Sequence, residues 1–245
     1  MNVILVGALG RMGAHVAEAL ARTGHTVAAS VDVGYPASGG GRYLRIGEVK
    51  EAADVIIDFS FHAVTPEVVA YAARHQIPAV IATTGHTEDE KKAISAASAK
   101  TAIFYSGNMS VGIATLCDAV KRVVSAFPDA DVEIVETHHN RKLDAPSGTA
   151  LMLFDAVKEA RPGAKALCGR SGQGKREKHE VGIAALRMGN VVGVHEVMIC
   201  TDNERITLKH EAFDRALFAD GALAAAEAIL GRAPGYYTMK EILKG

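Results

Sequence analysis

Short apolar runs separated by amphipathic stretches dominate the first half of the chain. Residues 3–6 form the first run. Over residues 11–23 the spacing turns helical, with Met12, Val16, Ala19 and Leu20 on one stripe. Residues 26–33, 54–59, 77–82 and 102–105 predict further strands, and residues 63–74 and 88–99 predict helices between the later ones. Strands alternating with helices of this length predict a mostly parallel sheet covered on both faces.

The pattern then changes character. A helix is expected over 111–127 and a strand over 132–135. Residues 180–188, 191–200 and 205–211 read as successive extended segments, with Gly-Asn at 189–190 and Asp-Asn at 202–203 as turns. These predict an antiparallel or mixed sheet in a second domain. The stretch GRSGQGKREKHE before them reads as a flexible, solvent-facing loop. A helix over 213–230, packing through Phe218, Leu223, Ala226 and Leu230, and a short amphipathic segment over 239–243 close the chain.

Composition narrows the function classes. The chain has 245 residues, 22% of them charged, and a formal net charge of -1, so no global basic field advertises nucleic-acid binding. Cys117, Cys168 and Cys200 are odd in number and far apart, which suggests neither a disulfide framework nor a metal knuckle and fits a reducing cytoplasm. The apolar start MNVILVGALG lacks a basic leader and meets glycines and Arg11 too early to span a membrane; it reads as a buried strand.

That strand runs into GALGRMG, which supplies Gly7, Gly10 and Gly13 where a helix begins. Glycine permits a tight turn and close approach of a diphosphate, and the free amides of a helix start favour its charge. Ala8 stands where the usual glycine frame would begin, so the motif alone is weak. Asp32, near the end of the second strand, strengthens it: an acid there bonds the adenosine ribose and disfavours the extra phosphate of NADP. Val33, Gly34 and Tyr35 follow, with no adjacent cation to rescue that phosphate, so NADH is the expected cofactor and NADPH a possible one. Arg11 either approaches phosphate or lies on the surface. Polar groups recur at later strand ends, in Phe59-Ser60, Thr83-Thr84-Gly85 and Ser106-Gly107-Asn108, where a parallel sheet presents a ligand rim.

The densest chemistry lies in ETHHNRKLDAPSGTA, residues 136–150. His138, held by a strand end, is a candidate for proton transfer, His139 for substrate binding, and Lys142 for charge stabilisation or proton donation, with Asp144 as an orienting partner. Ser147 caps the following helix, and the Gly148 and Thr149 amides with the Thr149 hydroxyl suit a carboxylate. No third ligand supports a zinc site, and no nucleophile elbow is present. His195 and His210 fit core or interface hydrogen bonding at least as well as catalysis.

Taken in order, VGALGRMG, ATTG at 82–85, SGNMSVG from 106, ETHHNRKLDAPSGTA, RMGNVVGVHEV, ITLKHEAFDRALFADGAL and GYYTM resemble the 4-hydroxy-tetrahydrodipicolinate (dihydrodipicolinate) reductase family over nearly the whole chain. The resemblance implies an α/β fold: a Rossmann-like parallel sheet over 1–108, an α+β substrate and oligomerisation domain over 109–212, and a helical return over 213–245. It implies that Gly7, Ala8, Leu9, Gly10 and Arg11, with Met12, Gly13 and Asp32, hold the cofactor. Ala82, Thr83 and Thr84, then Ser106, Gly107, Asn108 and Met109, would border its nicotinamide, with Phe59 added to the cofactor set by its place at a strand end. His139, Gly148 and Thr149 would contact carboxylates, and His138 and Lys142 would form the acid pair. The implied reaction is hydride delivery to C4 of the dipicolinate precursor and protonation next to it, with the hydroxyl lost as water, in lysine and diaminopimelate synthesis. A homotetramer is also implied. Ala82 replaces a frequent glycine, Met109 a frequent aromatic, and Val194 a common glutamate, while Val33 stands where some members have an arginine. The alternatives are a reductase of another small dicarboxylate and a nonenzymatic dinucleotide-sensing module.

Overall fold

The structure is a computed structural model in which residues 1–243 are described. In chain order its regular elements are β1 (Asn2–Val6), α1 (Arg11–Arg22), β2 (Thr26–Val31), β3 (Arg42–Tyr43), β4 (Val55–Asp58), α2 (Thr65–His75), β5 (Ala79–Ile81), α3 (Glu88–Ala97), β6 (Ala102–Tyr105) and α4 (Val111–Ala126). They continue with β7 (Asp131–His138), α5 (Gly148–Ala160), β8 (Lys165–Cys168), β9 (Glu180–Arg187), β10 (Gly193–Cys200), β11 (Arg205–Ala212), α6 (Ala216–Ile229), β12 (Gly235–Tyr237) and α7 (Lys240–Leu243). Two compact units result: Met1–Val111 with Arg215–Gly245, and Gly112–Asp214.

The first unit is built on a seven-stranded sheet of order β12-β6-β5-β4-β1-β2-β3, parallel at every pairing. Its central strands are apolar throughout because both faces are covered: Val3, Ile4, Val55, Ile56, Ile57 and Val80 are each 0% exposed. Ile4, Ile56 and Ile81 pack in one cluster with Val68, Val69 and Ala72 of α2 and Ile94 of α3. Helix α3 starts at a capping box, in which Thr87 and Glu90 satisfy each other's backbone amides. On α1 the buried stripe is Gly13, Val16, Ala19 and Leu20; Met12, expected in it, is only half-buried. The short strands β3 and β12 are not expected from the sequence.

In the second unit the sheet order is β11-β10-β7-β9-β8. β7 pairs parallel with β9 and antiparallel with β10, so the strands expected as neighbours in sequence, β9 and β10, are separated by β7. Val132, Ile134, Val181, Ile183, Val197 and Ile199 form the core face, packed with Leu153, Ala156 and Val157 of α5. The basic stretch before β9 faces solvent, as expected, and is anchored through two arginines. Arg170 pairs with Glu180. Arg176 pairs with Glu133 and with Asp131 at 2.8 Å, and donates to the carbonyls of Val132 and Glu180 at 2.8 and 2.6 Å.

The late helix also starts later than its pattern suggests. β11 stays extended to Ala212, opposite Gly193, which leaves Phe213 87% exposed ahead of α6. α6 buries Ala219, Ala222, Leu223, Ala225, Ala226 and Ile229, whereas Leu230 faces outward.

Candidate functional site

Each unit gathers its own set of the residues singled out by the sequence. In the first, parallel strands place every strand C-terminus on one edge, and the order reverses between β4 and β2 about β1, where an open sheet of this kind takes its ligand. The Gly7 amide donates to the Val31 carbonyl at 2.9 Å. Gly7 has φ +81, and a Cβ on it would lie 2.6 Å from the Phe59 carbonyl oxygen; one on Gly13 would lie 2.3 Å from the Gly7 oxygen. No side chain fits at either position, so turn, helix start and neighbouring strand end close on one another. Gly10 caps α1 without any side-chain bond, and Leu9, Gly10 and Arg11 are exposed while Ala8 and Met12 are half-buried. This cradle fits a dinucleotide diphosphate.

Asp32 is pinned beside it. One carboxylate oxygen accepts from the Leu9 amide at 3.0 Å and the other from the Gly34 amide at 2.9 Å. Val33, immediately after, is 78% exposed.

The remaining strand ends are organised by a residue without an assigned role in the sequence reading. Asp58 is fully buried. It accepts from the Ser60 amide at 2.9 Å and hydroxyl at 2.5 Å, and from the Thr65 hydroxyl at 2.9 Å. Burial pushes its carboxyl up, against the pull of the Ser60, Thr65 and Thr83 hydrogen bonds. Thr65 in turn meets His86 Nε2 at 2.9 Å. Thr83 donates to the Asp58 carbonyl at 3.3 Å and is buried, and Ala82 also is buried, whereas Thr84 is exposed. Phe59 is half-buried. Ser106 donates to the Asn108 carbonyl at 2.6 Å, and the Asn108 side chain accepts from Ser110 at 2.8 Å, which folds the last rim segment into a turn with Gly107 exposed. Met109 is 2% exposed. Gly221 of α6 faces its backbone, where a Cβ would come within 1.7 Å of the Met109 oxygen.

In the second unit β7 alternates strictly, so Val132, Ile134, Glu136 and His138 share the buried face. His138, 8% exposed, ends the strand, with Nδ1 2.5 Å from Glu136 Oε2. Its ring meets the His195 ring edge-on at 5.1 Å. Gly193, a neighbour on β10, would place a Cβ 3.2 Å from His138 Nε2, so glycine here keeps the tip of that imidazole open. His195 is 4% exposed and its Nε2 lies 3.3 Å from the Ser147 hydroxyl. Burial above all, with His138 adding to it, pushes His195 down to about 4, so it is neutral at pH 7.

The loop after β7 is half-exposed at His139 and turns by a Lys142 amide to His139 carbonyl bond of 3.1 Å. Lys142 pairs with Asp144 at 2.9 Å, and that ammonium holds the Asp144 carboxyl below its ordinary range. The Ser147 hydroxyl accepts from Ala150 and caps α5. Gly148, exposed, and Thr149, half-exposed, stand ahead of the capped amide, where a helix makes no internal bonds to its own N–H groups. Glu136 and Arg187 belong to this cluster and were not singled out by the sequence. The alternation of β7 is the signal for Glu136, because it places a carboxylate in line with the apolar Val132 and Ile134. Among the described residues no group of three or more His, Cys, Asp or Glu side chains is placed to hold a metal ion.

Comparison with known proteins covers both units. Family models described as the N-terminus and the C-terminus of dihydrodipicolinate reductase match residues 1–109 and 112–243. A 4-hydroxy-tetrahydrodipicolinate reductase of Caldanaerobacter subterraneus is 43% identical over 252 residues, covering 100% of this chain and 98% of that one. The Staphylococcus epidermidis enzyme of the same name is 37% identical over 99% of this chain and 100% of its own. Among solved structures, dipicolinate-bound dihydrodipicolinate reductase from Paenisporosarcina sp. TG-14 matches with a TM-score of 0.82 at 21% identity, covering 98% of both chains.

Proposed function

The chain belongs to the dihydrodipicolinate reductase family and catalyses NAD(P)H-dependent reduction of 4-hydroxy-tetrahydrodipicolinate to tetrahydrodipicolinate in lysine and diaminopimelate biosynthesis, and from that premise we propose how its residues divide the work. The glycine turn from Gly7 to Gly13 holds the diphosphate, Asp32 the adenosine ribose, and the strand ends at Phe59, at Ala82, Thr83 and Thr84, and at Ser106 to Met109 the nicotinamide end. The reduced nicotinamide supplies the hydride when bound. The Gly148 and Thr149 amides and His139 bind the substrate carboxylates, which orients the ring and draws its electrons toward the fixed positive groups. His138 and Lys142 are the acid pair, and one of them protonates the carbon next to the reduced position.

The observation that carries this reading is the state of the His138 ring: buried, fixed at Nδ1, and left open at Nε2 by the glycine at 193. Such a group transfers a proton in a defined direction. We assign NADH as the preferred cofactor, because Asp32 lies beside the Leu9 amide with an exposed valine after it, a poor setting for a 2′-phosphate. The half-exposed sheet face of the second unit carries Val135, Val194 and Met198 with Leu186, 45% exposed, beside them; we assign it to homotetramer assembly. Among the described residues no helix is long and apolar enough to cross a membrane, and the cysteines are free, which fits work in the cytoplasm.

One assay tests the division. With freshly generated substrate, His138→Asn and Lys142→Ala are expected to lower kcat by roughly 100-fold or more, while the Kd for NADH changes by less than about 3-fold. A variant with wild-type turnover removes that residue from the acid pair. Running NADH and NADPH side by side gives the cofactor preference, and a higher kcat/KM with NADPH would overturn the Asp32 assignment.

A further inference from the structure

Glu136 is 0% exposed on the core face of β7, in line with Val132 and Ile134. A carboxylate in that position is costly unless its oxygens are fully met by donors. Both are. Arg187 Nη1 donates to Oε2 at 2.9 Å and Nη2 to Oε1 at 2.8 Å, and the Ser147 amide donates to Oε1 at 3.1 Å. Burial pushes the carboxyl up, but the Arg187 fork, His138 and the Ser147 amide outweigh it and hold the group below its ordinary range, ionised at neutral pH.

The guanidinium fork and one amide would already satisfy a purely structural carboxylate. The contact to His138 Nδ1 at 2.5 Å is additional to that set. An ionised carboxylate can only accept, so Nδ1 must carry the proton it shares. Nε2 is then the atom that gains and loses a proton, and it is the atom beside which Gly193 leaves room. The groups facing His138 agree with this polarity. Arg187, opposite His138 on β9, is committed to Glu136. His195 on β10 is neutral, and His210, behind it on β11, is lowered by burial as well. Ser147 is held by Glu136 and faces His195. Lys142, on the loop after β7, is paired with Asp144.

We propose that Glu136, clamped by Arg187 and the Ser147 amide, is a positioning residue for proton transfer: it fixes the His138 ring, keeps the proton on Nδ1, and balances the imidazolium charge. In the step itself the Nε2–H bond breaks and its electron pair returns to the ring. The proton joins the electron pair on the substrate carbon, the Nδ1–H bond stays intact, and Glu136 stays ionised throughout. The proposal rests on the assignment of His138 as an acid.

Two measurements test it. In the wild-type protein labelled with 15N-histidine, His138 is expected to show a protonated Nδ1 with a strongly downfield proton; a bare Nδ1 overturns the proposal. In Glu136→Gln, kcat is expected to fall about 100-fold with KM and the Kd for NADH within about 3-fold, a larger solvent deuterium effect on kcat, and an upfield shift of the Nδ1 proton. If that variant does not fold, Glu136→Gln combined with Arg187→Met removes the buried charge together with its partner and is read in the same way; if neither folds, the wild-type tautomer decides. A folded variant within about 3-fold of wild-type kcat overturns the role of Glu136. Where His138→Asn is inactive and Glu136→Gln is not, only the Glu136 proposal falls; where His138→Asn keeps wild-type turnover, the acid assignment has failed and takes the proposal with it.

Discussion

His195 shows what a single buried side chain costs the protein as conditions change. Its imidazole is held near 4 in the folded chain, mainly by burial, against about 6.5 in an unfolded one. Between those values the unfolded chain binds a proton that the folded chain refuses, so stability declines as pH falls from 6.5 toward 4. The difference corresponds to about 3 kcal/mol. Burial lowers His86 and His210 too, which adds to the same slope. Urea melts at pH 7.5 and 5 should show the loss, and His195→Gln should flatten it; equal slopes in the two proteins would count against this account. The residue scale is also where the sequence reading fell furthest short. His138 and Lys142 stand out as residue types, but Glu136 is marked only by the alternation of β7, Arg187 acquires its meaning from a partner fifty-one residues away, and Asp58 acquires its meaning from complete burial, which no local spacing displays.

At the level of elements, hydrophobic period located most of what the fold uses. The strands β1, β4, β5 and β6 and the helices α1 to α4 lie within a few residues of their patterns, because a strand buried on both faces or a helix buried on one leaves a strong trace; for α5 the sequence offered only its Ser147 cap. β3, of two residues, and β12, of three, leave none; they exist because β2 and β6 offer open edges. The insertion of β7 between β9 and β10 was equally invisible, since pairing order is decided by the whole sheet. Helix α6 carries a sharper consequence. Gly221→Ala would gain about 1 kcal/mol of helix propensity, yet its Cβ would sit 1.7 Å from the Met109 carbonyl oxygen. Backbone cannot yield as a side-chain tip can, so the overlap wins and a net loss of about 2 kcal/mol is expected. Because the displaced segment is the Ser106 to Met109 rim, NADH titration of the folded variant should also show weaker binding; an unchanged Kd would mean that the rim absorbs the shift.

Over the whole molecule, the division into two units follows the chemistry assigned to them: a parallel sheet for a dinucleotide and a mixed sheet for an acid and a dicarboxylate. The mixed sheet covers one face with helices and leaves Val135, Leu186, Val194 and Met198 on the other. Light scattering at micromolar concentration should report a tetramer, and Met198→Asp should shift it to smaller species while the second unit stays folded. A wild-type monomer would assign that face to something other than self-association.

The first unit is made from the earliest and the latest parts of the chain, with α6 seated on the Met109 backbone and β12 pairing with β6. Synthesis runs in one direction, so the glycine turn and its strands leave the ribosome long before the helix that buries against them, and the entire second unit emerges in the interval. The nascent parallel sheet must therefore wait, with an open edge at β6 and the Met109 backbone uncovered, for roughly the last thirty residues. The second unit, continuous in the chain, is the part that can finish first.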